Sequence, residues 1–225
     1  MKKNLLDERL LACAEFVREK SVLADVGTDH AYLPVSLILD GKIERALACD
    51  INEKPLEKAK ETAQKYDVFD KISFRLCDGL KGVFENEFSD LAIAGMGGEM
   101  IAKILENCPY IKCDKYNLIL QPMTKANVLR KFLCENGFEI VDEKALKANS
   151  KIYTVINAKY SKNEQKCDLL FEYLGKLSEK GDENALAYKR KVKNSLLKKA
   201  KGILSADKEN EFAKNLIKTA EKIKI

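Results

Sequence analysis

Two aspartates, a glycine and the chain's single histidine fall within Asp25-Val26-Gly27-Thr28-Asp29-His30. Ser21 to Val26 is short and apolar, as a buried strand requires, and Pro34 to Leu39 opens a helix, so Gly27 to Leu33 is the turn between them. Such a turn offers backbone N–H groups and a helix N-terminus to a polar ligand, and Gly27, lacking a Cβ, lets that ligand approach. The spacing is not that of a pyrophosphate cradle. Of the pattern G-x-G-x-x-G only Gly27 is present, with Asp29 and Tyr32 in the later glycine places. Carboxylates beside the backbone repel a pyrophosphate and attract a cation, so Asp25 and Asp29 favour a positively charged ligand.

S-adenosylmethionine carries both a sulfonium and an ammonium group, and the turn is therefore expected to hold this methyl donor rather than NAD or FAD. Further polar or glycine residues follow each later apolar run: Asp50-Ile51, Asp78-Gly79, Ala94-Gly95-Met96-Gly97-Gly98 and Gln121-Pro122-Met123. Asp50 lies at the distance beyond Gly27 where an acid accepts hydrogen bonds from ribose hydroxyls; a strand-end aspartate capping the next turn is the alternative. Asp78 is placed to accept from the exocyclic amine of an adenine, or to form an ordinary Asp-Gly turn. The expected cofactor site is Asp25, Gly27, Asp29, Asp50, Ile51, Asp78, Gly79, Ala94 and Gly95.

Positioning these groups requires strands that all end on one side. Apolar runs at Val22–Val26, Arg45–Asp50, Ile72–Leu76, Asp90–Ala94 and Asn117–Leu120 alternate with helical patterns at about 34–40, 54–66, 97–107 and 125–136. Regular βα alternation predicts a doubly wound parallel sheet whose ligands sit beyond the carboxyl ends of the strands. Phe138–Lys144 and Lys151–Tyr160 follow with no helix between them, which predicts an antiparallel ending. A leading amphipathic helix is expected over Asn4–Arg18. After about Ser161 the strands stop, and apolar residues at helical spacing predict an antiparallel, coiled-coil-like helical arm.

Residues 162–225 carry 16 basic and 10 acidic side chains, against 24 and 25 in residues 1–161. That asymmetry fits an arm that meets a polyanion, with nucleic acid the first candidate, or a solvated lysine-rich surface. The seven cysteines form no C-x-x-C pair, and several lie in apolar runs, so neither a disulfide framework nor a metal site is expected. No apolar run approaches the roughly 20 residues of a membrane span, and no apolar signal core follows Met1, so a cytoplasmic location is expected.

The blocks Asp25-Val26-Gly27-Thr28-Asp29-His30-Ala31-Tyr32-Leu33-Pro34, Asp78-Gly79-Leu80, Ala94-Gly95-Met96-Gly97-Gly98 and Leu118-Ile119-Leu120-Gln121-Pro122 resemble the bacterial TrmK family of tRNA (adenine-22-N1)-methyltransferases. The resemblance runs from the leading helix to about Tyr160. It implies a Rossmann-like class I methyltransferase sheet over residues 1–160, a coiled-coil-like helical domain over 161–225, S-adenosylmethionine as donor, and tRNA adenine N1 as acceptor. Lys54-Pro55 and Gln121-Pro122-Met123 depart from the family pattern, which tends to glycine before the first proline and asparagine after the second. No role is carried onto Met123.

N1 of adenine has an in-plane lone pair, so in-line positioning matters more than a strong base. Asp29 and His30 are the candidates to take the later proton or hold the exocyclic amine. Tyr32, Met96, Gly97 and Gly98 are the candidates to hold the target base, which must be extruded from the folded RNA. Lys189, Arg190 and Lys193, with Lys191, Lys198, Lys199 and Lys201, are the candidates for phosphate contacts. Two alternatives are an RNA-binding protein that retains the fold without catalysis and an NAD-dependent oxidoreductase.

Overall fold

The computed structural model describes residues 5–163 and 167–225. Helix α1 (Glu8–Phe16) starts at Asp7, whose carboxylate accepts from the Arg9 and Leu10 amides and so caps the helix. It is shorter than the expected span, and Asn4 lies outside the described residues. Then follow β1 (Val22–Val26), α2 (Tyr32–Leu39), β2 (Arg45–Asp50), α3 (Glu53–Lys65), β3 (Ile72–Leu76), β4 (Asp90–Gly97), α4 (Gly98–Glu106), β5 (Asn117–Thr124), α5 (Ala126–Glu135), β6 (Phe138–Ala148) and β7 (Lys151–Tyr160). The chain ends with α6 (Leu169–Leu174), a 3-10 turn at Gly175–Glu179, α7 (Glu183–Ala206) and α8 (Glu211–Lys222).

All seven strands form one sheet in the order β3-β2-β1-β4-β5-β7-β6. The first five are parallel, and β7 runs antiparallel to both β5 and β6, so the expected antiparallel ending is present. Asn149 and Ser150, both in the left-handed region (φ 46° and 62°), make the tight turn between β6 and β7. Strand order reverses between β1 and β4, and the register sets Val26 beside both Cys49 and Ile93. The residues following Val26, Cys49 and Ile93 therefore emerge side by side at one edge. This is the crevice in which doubly wound sheets bind ligands.

Two apolar layers bury the sheet. One sets Ile101, Leu105, Leu129 and Leu133 of α4 and α5 against Leu91, Ile93, Leu118 and Leu120. The other sets Cys13, Leu33, Val35 and Leu37, from α1 and α2, and Ala59 of α3, against Leu23, Ala48, Ala92 and Ile119. A third core joins Leu174, Leu177, Val192, Leu196, Ala213, Leu216 and Ala220 to Ala145 of β6, with Ile152 of β7 packed on it. The C-terminal helices are thus seated on the β6–β7 end of the sheet rather than projecting freely.

Arg130 of α5 and Glu143 of β6 are fully buried and paired at 2.8 Å, Nε to Oε1. Arg130 also donates to the Glu172 and Tyr173 carbonyls and to the Tyr188 hydroxyl, tying α6 and α7 to the sheet. Among the described residues no helix is long and apolar enough to cross a membrane.

Candidate active site

Beyond the ends of β1 and β4 lies a cavity of about 430 Å³, lined by Asp25, Gly27, Asp29, Tyr32, Ala94, Gly95 and Gln121, with Leu5, Asp7, Arg9 and Leu10 across from them. The expected cluster at the end of β1 and Ala94 and Gly95 of β4 therefore share one space. That volume is within the range of about 300–1,000 Å³ usual for small-ligand sites.

The turn is built differently from the one expected. The N–H groups of Gly27 and Thr28 both donate to the Cys49 carbonyl at 2.9 Å, so neither is offered to a ligand. They lock β1 to β2 instead. Helix α2 begins at Tyr32, two residues earlier than expected, because His30 and Ala31 adopt left-handed conformations (φ 66° and 52°) that reverse the chain sharply. Successive non-glycine residues in that region store strain, a frequent feature of functional turns. Gly27 is also left-handed (φ +77°), and a Cβ there would run into the terminal methyl of Met96. Met96 thus closes over the turn from the β4 side.

Charge in the cavity is concentrated on the aspartates. Asp25 is 7% exposed and its Oδ2 accepts from the buried Thr28 hydroxyl at 2.7 Å. Burial raises the Asp25 carboxyl to about 6, with the Thr28 hydroxyl lowering it and the Asp50 charge raising it. Asp7 is held below its usual range: burial pushes it up, but hydrogen bonds from Leu10 and Arg9 outweigh that. Its charge is answered by Arg9 at 2.6 Å. Asp29 is largely exposed and lies 3.6 Å from His30 Nε2, too far for a hydrogen bond. The His30 ring stacks on Tyr32 with centroids 5.0 Å apart.

Other expected residues lie elsewhere or already have structural work. Asp50 Oδ1 accepts from the Asn52 amide at 2.8 Å, the turn-capping alternative, while Ile51 beside it is 61% exposed. Asp78 and Gly79 border a separate depression with Met100 and Ile104, and Asp78 pairs with Lys81 at 2.6 Å. Gly97 is half-buried at the last β4–β5 pair. Gly98 is buried against the Lys125 and Thr124 carbonyls, which leave no room for a Cβ, so its reason is close packing of α4 on the turn after β5. Lys189 is 6% exposed and its ammonium is taken by the Lys180 carbonyl at 2.6 Å. Lys193 is half-buried and donates to Ile223, leaving Arg190 the exposed member of that trio.

Gln121 stands among the expected strand-end residues but without an assigned role, and Asp7 and Arg9 escape a reading by strand ends. Gln121, fully buried, accepts from the Gly95 amide at 3.0 Å and holds the left-handed Gly95 (φ +81°) in place. Asp7 and Arg9 form the opposite wall, and Arg9 Nη1 reaches Met123 Sδ at 3.2 Å. Their signal in the sequence is an ordinary helix start, which gives no hint of a cavity.

Comparison with known proteins adds to this geometry. A family model described as a methyltransferase domain matches residues 6–156. The tRNA (adenine(22)-N(1))-methyltransferase of Bacillus subtilis is 37% identical over 158 residues; the match takes in 70% of this chain and 66% of that relative's length. Among solved structures, the B. subtilis m1A22 tRNA methyltransferase TrmK superposes with a TM-score of 0.81 at 30% identity, over 97% of this chain and 95% of that one. Streptococcus pneumoniae Sp1610, solved with S-adenosyl-L-methionine, superposes with a TM-score of 0.82 at 31% identity, over 97% and 99% of the two chains.

Proposed function

The chain belongs to the TrmK family of methyltransferases, and from that premise we propose that it transfers a methyl group from S-adenosylmethionine to N1 of adenine 22 in tRNA. The observation that carries the reading is the aspartate-lined cavity at the β1–β4 reversal, where the Gly27 and Thr28 amides are already used by the Cys49 carbonyl. The Gly27 and Thr28 amides are closed to a pyrophosphate, whereas Asp25 and Asp29 suit a cation, and this disfavours the dinucleotide alternative.

When bound, S-adenosylmethionine supplies a sulfonium-activated methyl group. Asp25 and Asp29 would attract its positive groups, Ile51 and Asp50, the latter alongside its bond from Asn52, would hold its adenosine end, and Gly27, Ala94 and Gly95 would leave room for it at the strand ends. Tyr32 and Met96 flank the incoming base and exclude water. Attack through the N1 lone pair needs no prior deprotonation, so the protein's contribution is alignment. Asp29 and His30, at the exposed side, are placed to accept a proton from the exocyclic amine afterwards. In this reading residues 1–160 hold the donor and residues 161–225 face the RNA.

A pH dependence follows from Asp25. Below about 6 its carboxyl takes up a proton and the attraction for the donor's cation is lost; above it the charge is present. Donor affinity measured by calorimetry is expected to weaken by up to about tenfold for each pH unit below 6 and to level off above 7. Asp25→Asn should flatten that profile.

Lys198, Lys199 and Lys201 of α7 are exposed, and with Arg190 they are the groups proposed to meet phosphates, in place of the buried Lys189. Reversing Lys198 and Lys201 to glutamate is expected to weaken tRNA binding and to lower the slope of log affinity against log salt by about one per lost contact. Equal slopes for variant and wild type would remove α7 from the RNA interface. The reading as a whole is tested by incubating the protein with methyl-labelled donor and an unmodified tRNA transcript. Label should enter the RNA; binding without transfer would favour the non-catalytic alternative.

A further inference from the structure

A second cavity, of about 170 Å³, lies where α7 meets the sheet, between the turn after β5 and the start of β7. It is smaller than a whole-cofactor site and suits a single ring system. Its walls include the aromatic rings of Tyr153, Tyr173 and Tyr188 and the side chain of Thr154. Thr154 is 1% exposed, and its Oγ1 is the one buried side-chain polar atom without a hydrogen-bond partner among the described residues. A buried hydroxyl left unpaired is costly unless something enters to meet it.

The rest of the wall is held firmly. Tyr188 is fixed by Arg130 Nη2 at 3.2 Å from its hydroxyl, and Lys191, which donates from Nζ to the Ile152 carbonyl at 2.7 Å, sits 5.8 Å and 5.9 Å from the Tyr153 and Tyr188 ring centroids. Lys191 and Ser195 are exposed on α7, at the near end of the stretch that carries Lys198, Lys199 and Lys201. Met123 also lines this cavity and touches Arg9, which lines the first one, so a single side-chain contact at the end of β5 separates the two spaces. An occupant whose chain continues along basic α7 and reaches the first cavity is a polyanion with planar rings.

We propose that this second cavity receives an unpaired nucleotide of the substrate RNA, distinct from the base that is methylated. Its base packs against the tyrosine rings, Thr154 Oγ1 hydrogen-bonds to a base edge, and the exposed Lys191 meets its phosphate through the N–H groups that remain beyond the bond to Ile152. Such stacking and edge contacts are the usual means of holding splayed-out nucleotides. The proposal rests on the reading of this chain as a tRNA methyltransferase, and it would make the α7–β7 junction a determinant of which RNA is accepted.

The test is tRNA binding by Thr154→Val, which removes only the unpaired hydroxyl, and by Ser195→Phe, which fills the mouth from an exposed position. Both are expected to weaken tRNA binding by about tenfold, within the range for loss of one base contact. Donor binding by calorimetry should match wild type in both, and the melting temperature of Thr154→Val should be unchanged or raised. Wild-type tRNA affinity in both variants would overturn the proposal and leave the cavity a hydrated gap between helix and sheet. Because the readout is binding, a protein that binds tRNA but transfers no methyl would defeat the catalytic reading while leaving this test intact.

Discussion

Arg130→Ala is expected to destabilise the protein by about 3–5 kcal/mol, because it strands the Glu143 carboxylate in a site without solvent. Gly175→Ala should have a comparable effect by another route. Gly175 is left-handed (φ +53°), and a Cβ there would stand 2.5 Å from Glu143 Oε1 and 2.7 Å from Arg130 Nε. Urea denaturation should show the loss as a lowered midpoint. The combined Arg130→Met, Glu143→Leu variant should lie far closer to wild type than either single change, since removing both charges also removes the desolvation cost. If the two single changes proved nearly neutral, the pair could not be what joins the C-terminal helices to the sheet.

Gly27→Ala is expected to lower methyl transfer by about a hundredfold and to weaken donor binding, although the added group is one methyl. Left-handed backbone costs a non-glycine residue about 1–2 kcal/mol, and the new Cβ must displace the Met96 methyl from its place over the turn. Gly27→Ala combined with Met96→Ala should recover donor binding in part, because the collision is relieved while the backbone strain remains. Transfer and calorimetry on the same samples separate the two effects. Wild-type donor affinity in Gly27→Ala alone would mean that the donor does not lie against this turn.

The sheet was legible because short apolar runs alternate with 3.6-residue periodicity, and the missing helix between Phe138 and Tyr160 marked its antiparallel end. Strand ends were harder to read. Both β4 and β5 run on through Gly95-Met96-Gly97 and Pro122-Met123, which have the composition of loops, yet their pairing continues through irregular register to Gly97 and Thr124. Glycine content cannot report which carbonyl an N–H meets, and so the use of the Gly27 and Thr28 amides by Cys49 was hidden. Charge counting failed similarly at Lys189, since a lysine that buries its stem and donates to a carbonyl is indistinguishable in sequence from a solvated one.

The seating of the C-terminal helices also changes how they can be probed. Deleting residues 162–225 would uncover Ala145 and leave the Arg130–Glu143 pair without the carbonyls and hydroxyl that complete it. Loss of RNA binding in such a truncation would report unfolding as readily as a missing surface. Substitutions at exposed Lys198 and Lys201, or at Ser195, keep that core intact and separate the two causes.

The most direct measurement is the position and atom of the methyl group after reaction of the wild-type protein with S-adenosylmethionine and an unmodified tRNA transcript. Nuclease digestion with mass spectrometry, together with the reverse-transcription stop produced by a blocked Watson–Crick edge, locates it. The account predicts a single methyl on N1 of adenine 22 and none on a transcript carrying guanine there. A methyl on another base or another atom would contradict it.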